Sequence, residues 1–165
     1  MISMVIEAWN VVSFGQMNCP TARSPLSRCA RLITGAEMSS SLRILIVDDS
    51  EVTRRILGTI VRSRHWTVCG EAEDGWSGVK KFHEVKPDLV LLDLAMPDMD
   101  GIEAARLMSG SDPTVPIILF TILDLEGLET RARNAGICAV VSKARGWNLL
   151  KSIETAVTQS YGSIN

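Results

Sequence analysis

Leu89-Val90-Leu91-Leu92-Asp93-Leu94-Ala95-Met96-Pro97-Asp98-Met99-Asp100-Gly101 is the stretch on which the reading of this chain turns. Four apolar residues run directly into Asp93. A short, continuous apolar run bounded by turn signals is the pattern of a strand buried on both faces of a parallel sheet. Pro97 and the Asp100-Gly101 pair then predict a turn. Asp93 therefore stands where a buried strand leaves its sheet, and open α/β sheets bind ligands at that carboxyl edge. A carboxylate there is a candidate nucleophile or metal ligand. The plainer alternative is an aspartate capping its own turn.

Outward from this stretch the chain alternates regularly. Upstream, Arg43–Val47 (Arg-Ile-Leu-Ile-Val) predicts a strand ending at Asp48-Asp49. Ser50 can cap a helix carrying Val52, Ile56, Leu57, Ile60 and Val61 on one face. Trp66–Gly70 predicts a second strand. Asp74-Gly75 turns into a helix with Trp76, Val79 and Phe82 inward, stopped before Pro87. Downstream, Gly101 opens a short helix with Ile102, Ala105 and Met108, and Ser109–Pro116 reads as a loop. Ile117–Phe120 predicts a fourth strand ending at Thr121. A helix through Glu129–Asn134 ends at Gly136, a fitting C-cap. Ala139–Val141 predicts a fifth strand running out at Lys143, and Leu149, Leu150, Ile153, Ala156 and Val157 mark a last helix. Strict alternation predicts an α/β domain over residues 41–162: a doubly wound, five-stranded parallel sheet with helices on both faces and right-handed crossovers.

The 165 residues suit one domain with a tail. Hydrophobic content of 46% and charge of 22% are those of a globular protein. A net charge of -2 supplies no basic field, so nucleic acid is not an expected direct partner. No apolar run approaches the roughly 18 residues of a membrane span, so a membrane is not expected either. Cys19, Cys29, Cys69 and Cys138 show no CxxC or Cys/His metal spacing, and a reduced cytoplasmic location is the default. Residues 1–40 show no sustained period and no secretory signal pattern, and are expected to be a poorly ordered extension. Met38, directly before three serines, is the expected start of the native chain.

The predicted strands carry Asp48 and Asp49, Asp93, Thr121 and Lys143 at their carboxyl ends. In a parallel sheet these ends share one edge, so the residues converge. Three carboxylates about 4 Å apart repel by on the order of 4 kcal/mol per pair at an effective dielectric near 20. A divalent ion and Lys143 balance them. Oxygen ligands in small number favour Mg²⁺, which keeps part of its water, with Mn²⁺ as a substitute. Such a site suits phosphoryl transfer, with Asp93 as nucleophile, Lys143 and the metal on the phosphoryl charge, and the Thr121 hydroxyl on a phosphoryl oxygen. Singly, each residue has a plainer role: Asp49 or Ser50 as a helix cap, Thr121 as a β-branched strand residue, Lys143 as a solvated lysine. Their joint placement carries the expectation.

Over roughly residues 42–160 the sequence resembles the receiver domain of two-component response regulators, through Ile-Val-Asp48-Asp49-Ser, Leu-Leu-Asp93-Leu-Ala-Met-Pro-Asp-Met-Asp-Gly101, Thr121 and Val-Ser-Lys143. The resemblance implies a flavodoxin-like fold with strand order 2-1-3-4-5. It implies a signalling switch: Asp93 takes phosphate from a histidine kinase or phosphotransfer protein, and an unknown downstream effector reads the result by protein contact. It implies Mg²⁺ held by Asp49, by Asp93, by Asp48 through water and by the Ala95 backbone carbonyl. Three positions depart from the family's habit: Ile122 where a small residue is usual, Val140 where an aromatic switch is common, and Ala144 where proline often follows the lysine. The competing readings are a phosphatase of the haloacid-dehalogenase type, which resembles Asp-x-Asp rather than Asp48-Asp49-Ser50, and a receiver-fold binding module without phosphorylation. No enzymatic turnover beyond self-directed phosphoryl transfer and hydrolysis is expected.

Overall fold

The computed structural model describes residues 11–13, 41–122, 127–143, 149–151 and 153–154. The elements in chain order are β1 (Val11–Ser13), β2 (Arg43–Val47), α1 (Glu51–Ser63), β3 (Thr67–Ala72), α2 (Gly75–Val85), β4 (Leu89–Leu92), α3 (Gly101–Ser111), β5 (Ile117–Thr121), α4 (Leu128–Asn134) and β6 (Ile137–Ser142). Residues 149–151 and 153–154 are helical. The six strands form one sheet in the order β1-β6-β5-β4-β2-β3. The pairings among β2 to β6 are parallel, so these five strands run 2-1-3-4-5 when counted along the chain, as expected.

Alternation of side chains along the strands divides the core in two. Leu45 and Val47 of β2, Val90 and Leu92 of β4, and Leu119 of β5 point to one side. There they meet Phe82 of α2, Ile102, Ala105 and Met108 of α3, and Leu128 and Ala132 of α4. Ile44, Ile46, Leu89, Leu91, Ile118 and Phe120 point to the other side, onto Leu57 and Val61 of α1 and onto Leu149 and Ile153. β4 and β5 are buried at every position, which is why they read as unbroken apolar runs rather than alternating ones. Each sheet face is apolar and needs a helical layer, so the connections among β2 to β6 cross over and the carboxyl ends of these five parallel strands fall on one edge.

Several details differ from the sequence expectation. Val52 and Ile56 are 67% and 55% exposed rather than inward. The sheet takes the α1 face of Leu57, Gly58 and Val61, and the two residues four apart at 52 and 56 form an apolar strip beside it. Trp76 is 63% exposed, because α2 turns Gly75, Gly78 and Phe82 inward. A Cβ on Gly78 would lie 2.7 Å from a methyl of Val47, so the helix backbone rests directly on the strand there. The second parallel strand runs to Ala72, two residues past its expected end, and α3 continues through Ser111 into the expected loop. Val11–Ser13, inside the stretch expected as an extension, pair antiparallel with β6 in the register Val12↔Val140. Met38, Leu123, Ala144, Trp147, Ala156 and Val157 lie outside the described residues.

Candidate functional site

Asp48 is the first residue past β2, and its N–H still donates to the Ala72 carbonyl at 3.1 Å. Asp93 is the first residue past β4, and its N–H donates to the Val47 carbonyl at 2.8 Å. These two bonds extend the parallel ladders by one residue and bring both carboxylates to the same edge. Thr121 ends β5 in register with Ser142, and Lys143 follows β6 directly. The expected convergence is therefore present: carboxylate oxygens of Asp48, Asp49 and Asp93 lie within 4.8 Å of one another. Asp48, Asp93 and Thr121 are buried, and Asp49 is exposed at the mouth. Ala95 is exposed in the loop two residues beyond Asp93.

Lys143 joins the carboxylates. Its Nζ donates to Asp48 Oδ2 at 2.7 Å and stands 3.1 Å from Asp93 Oδ1. The ammonium also lies 5.9 Å from the centre of the Phe120 ring, at the outer limit of a cation–π contact. The other Asp48 oxygen accepts from the Ser50 N–H at 2.9 Å. Ser50 in turn caps α1, its hydroxyl accepting from the Thr53 N–H at 3.3 Å. The capping expectation for Ser50 thus holds alongside the acidic cluster.

Asp93 is poorly served by its surroundings. Its Oδ1 is buried and has no aligned hydrogen-bond donor among the described residues. Burial pushes its carboxyl above the ordinary aspartate range, Lys143 pulls it back, and Asp48 adds to the rise. Burial works against the Lys143 charge, but the contacts with Asp48 and Asp93 outweigh it and hold the ammonium above its ordinary value. A buried carboxylate oxygen without an aligned donor, beside two further carboxylates, is an all-oxygen donor set with excess negative charge. It fits a hard divalent cation.

Two contributors escape sequence reading. Arg54 folds back from α1, its Nη1 donating to the Asp48 carbonyl at 2.7 Å and to the Asp49 carbonyl at 3.3 Å. An arginine early in a helix that follows an acidic pair is a signal only once the helix direction is known. Gly101 closes the loop after Asp93, its N–H donating to the Leu94 carbonyl at 2.9 Å. The sequence shows this glycine as a turn residue, not as a close approach. Among the departures from the family habit, Ile122 is 70% exposed at the end of β5, and Val140 is buried in the core beneath the helices.

Among the described residues no helix is long and apolar enough to cross a membrane. Cys69 and Cys138 are free thiols packed at the edges of the two cores.

Comparison with known proteins agrees with this architecture. The response regulator receiver domain family matches residues 44–154. The chemotaxis protein CheY of Listeria monocytogenes is 40% identical over 95 residues, which are 58% of this chain and 80% of that protein. A LuxR-family two-component response regulator from Aurantimonas sp. superposes with a TM-score of 0.69 at 30% identity, covering 73% of this chain and 87% of that one. A CheX–CheY complex with BeF₃ and Mg²⁺ from Borrelia burgdorferi superposes with a TM-score of 0.64 at 28% identity, covering 73% of this chain and 89% of that one. With its fold, its acidic edge and this match over most of its length, the chain belongs to the response regulator receiver domain family.

Proposed function

We propose that this receiver is a phosphoryl-accepting switch of a phosphorelay, loaded on Asp93 in a Mg²⁺-dependent step. The observation that carries the reading is the buried Asp93 Oδ1 without an aligned donor, 3.1 Å from the Lys143 ammonium and within 4.8 Å of two more carboxylates. Asp49, Asp93, the Ala95 carbonyl and, through water, Asp48 are the residues that would hold Mg²⁺. When bound, the ion neutralises carboxylate charge and draws electrons from phosphoryl oxygens. The CheY complex that contains BeF₃ and Mg²⁺ is a relative with the same fold, and supports the choice of ion.

An Asp93 carboxylate oxygen attacks the phosphorus of a phosphohistidine on a histidine kinase or phosphotransfer protein. A P–O bond forms, the P–N bond breaks, and its electron pair leaves with the imidazole, which takes a proton from solvent. Lys143 offsets the charge on the phosphoryl oxygens. The Thr121 hydroxyl, buried at the end of β5, donates to one of them. Lys143 and Thr121 border the face formed by α4, β6 and the terminal helix. A phosphoryl group that repositions both biases this face, and we place contact with the effector protein there. The setting is the cytoplasm, where the phosphodonor proteins present their histidines.

Incubation of the full chain with acetyl phosphate and Mg²⁺, followed by intact mass, tests the reading. One added phosphate is expected, lost in Asp93→Asn and without Mg²⁺. Stoichiometric labelling of Asp93→Asn would reject Asp93 as acceptor. Sustained turnover of a generic phosphate ester would point instead to a phosphatase.

A further inference from the structure

The acidic edge needs more than three carboxylates near one another. Each must project from a backbone held in one place. Asp93 is fixed by its ladder bond to Val47 and by its burial. The Asp48 side chain is fixed at both oxygens, by the Ser50 N–H and by Lys143. Asp49 differs. Its carboxylate is exposed, so its direction is set by the peptide groups on either side of it.

Arg54 holds those peptide groups. Its side chain is only 14% exposed, unusual for an arginine four residues into a surface helix. One guanidinium nitrogen, Nη1, donates to both the Asp48 and Asp49 carbonyls, at 2.7 and 3.3 Å. Nε faces the Glu71 carboxylate of β3 at 3.7 Å. The planar fork thus spans three segments: the first turn of α1, the acidic turn after β2, and the neighbouring strand. A flexible ammonium cannot reproduce this fixed set of directions.

We propose that Arg54 is the positioning residue of the cation site. It fixes the two consecutive carbonyls from which Asp48 and Asp49 are aimed, and so brings their carboxylates into reach of Asp93. This rests on the reading of the acidic edge as a Mg²⁺ site.

The sign of the effect separates this role from a simple charge effect. Arg54 carries a positive charge close to a site for a cation. By Coulomb's law alone, its removal strengthens Mg²⁺ binding. By positioning, its removal weakens Mg²⁺ binding, because the ligands lose their aim. Removing a partner that orients metal ligands costs about 10- to 100-fold in affinity.

The test is calorimetric titration of the full-length protein with Mg²⁺ alone, without any phosphodonor, for wild type, Arg54→Met and Arg54→Lys. Far-UV circular dichroism and thermal unfolding check that each is folded. Arg54→Met is expected to bind Mg²⁺ at least about tenfold more weakly. Arg54→Lys keeps the charge and loses the fork, so it too is expected to bind more weakly than wild type. It carries the test alone if Arg54→Met does not fold. A folded variant that binds Mg²⁺ as tightly as wild type, or more tightly, overturns the positioning role. A wild-type protein that fails to bind Mg²⁺ rejects the reading of the site itself, and this inference with it.

Discussion

A Cβ on Gly101 would run into the backbone carbonyl of Asp93, the carbonyl of the residue that carries the site's central carboxylate. The chain leaves β4 at Asp93, loops through Pro97 and returns so closely that only hydrogen fits at the first residue of α3. The Gly101 N–H bond to the Leu94 carbonyl closes the same loop. The turn glycine of the sequence is therefore a packing requirement of the site.

Gly101→Ala should accordingly destabilise the protein by at least about 2 kcal/mol, as for an overpacked core position whose neighbour is backbone and cannot rotate away. Urea unfolding measures it. The variant should also take phosphate from acetyl phosphate more slowly than wild type, because relief of the clash displaces Asp93. Wild-type stability would show that the loop yields without cost.

Asp93→Asn should stabilise the metal-free protein at neutral pH. Burial raises the Asp93 carboxyl above its ordinary value, so the folded state holds that proton more tightly than the unfolded chain does. The stabilising contribution is complete below the ordinary carboxylate value, near pH 3.9, and is lost as pH rises through the raised folded value. At neutral pH the ionised group therefore works against folding. Neutral asparagine removes that penalty, and Lys143 keeps Asp48 at 2.7 Å. A rise in Tm in EDTA is expected. The gain should shrink as the wild-type carboxyl protonates in acid, and again with saturating Mg²⁺, which stabilises wild type by mass action. A Tm at or below wild type in EDTA would show that the fold tolerates this charge.

What was legible in the sequence follows from what is local in the chain. β4 and β5 are buried on both faces, so burial writes itself as consecutive apolar residues. Asp48, Asp49, Asp93, Thr121 and Lys143 each sit at a strand's end, and the alternation of elements suffices to place them on one edge. The azimuth of a helix is not local. Val52, Ile56 and Trp76 are apolar but exposed, because α1 turns Leu57, Gly58 and Val61 inward and α2 turns Gly75, Gly78 and Phe82 inward, with Gly78 resting on Val47. Arg54 and Gly101 act through contacts with backbone carbonyls, which no side-chain pattern records. The pairing of Val11–Ser13 with β6 joins segments more than a hundred residues apart, and nothing in either segment specifies the other.

That pairing has a test of its own. β1 meets β6 antiparallel, with Val12 opposite Val140, and covers an edge of the face proposed for effector contact. Proline lacks the N–H a ladder needs, so Val12→Pro should release β1. Amides of residues 139–141 that face the edge should then exchange faster in hydrogen-exchange measurements, while Asp93 still takes phosphate at the wild-type rate. A three-residue ladder adds few bonds, so a protein beginning at Met38 should melt within about 3 °C of full length. Unchanged protection of β6 in Val12→Pro would show that β1 does not hold that edge in solution.

The last expectation concerns the lifetime of the phosphorylated state. Ile122 follows Thr121 directly and is 70% exposed, at a position where the family usually has a small residue. Hydrolysis of an aspartyl phosphate requires a water in line with the departing Asp93 carboxylate. A branched apolar side chain directly after Thr121, at the edge that carries Asp93, should exclude part of the space through which that water arrives. The cation approaches from the exposed Asp49 side and is not obstructed in the same way. Val140, buried at the place of a common aromatic switch, has a single stiff rotor and cannot swing between inward and outward positions. With Asp93 as the proposed phosphoryl acceptor, the mouth of the site should then open little on loading. Ile122→Ala should therefore lose phosphate faster than wild type by about threefold, a barrier change below the 1.36 kcal/mol of a tenfold effect. Loading from acetyl phosphate should quicken in the same variant, since small donors pass the same obstruction. Intact mass in saturating Mg²⁺ gives the loading rate while the donor is present and the decay rate after the donor is removed. An Ile122→Ala protein that keeps its phosphate as long as wild type would reject the steric account and assign the lifetime to the charge around Asp93 instead.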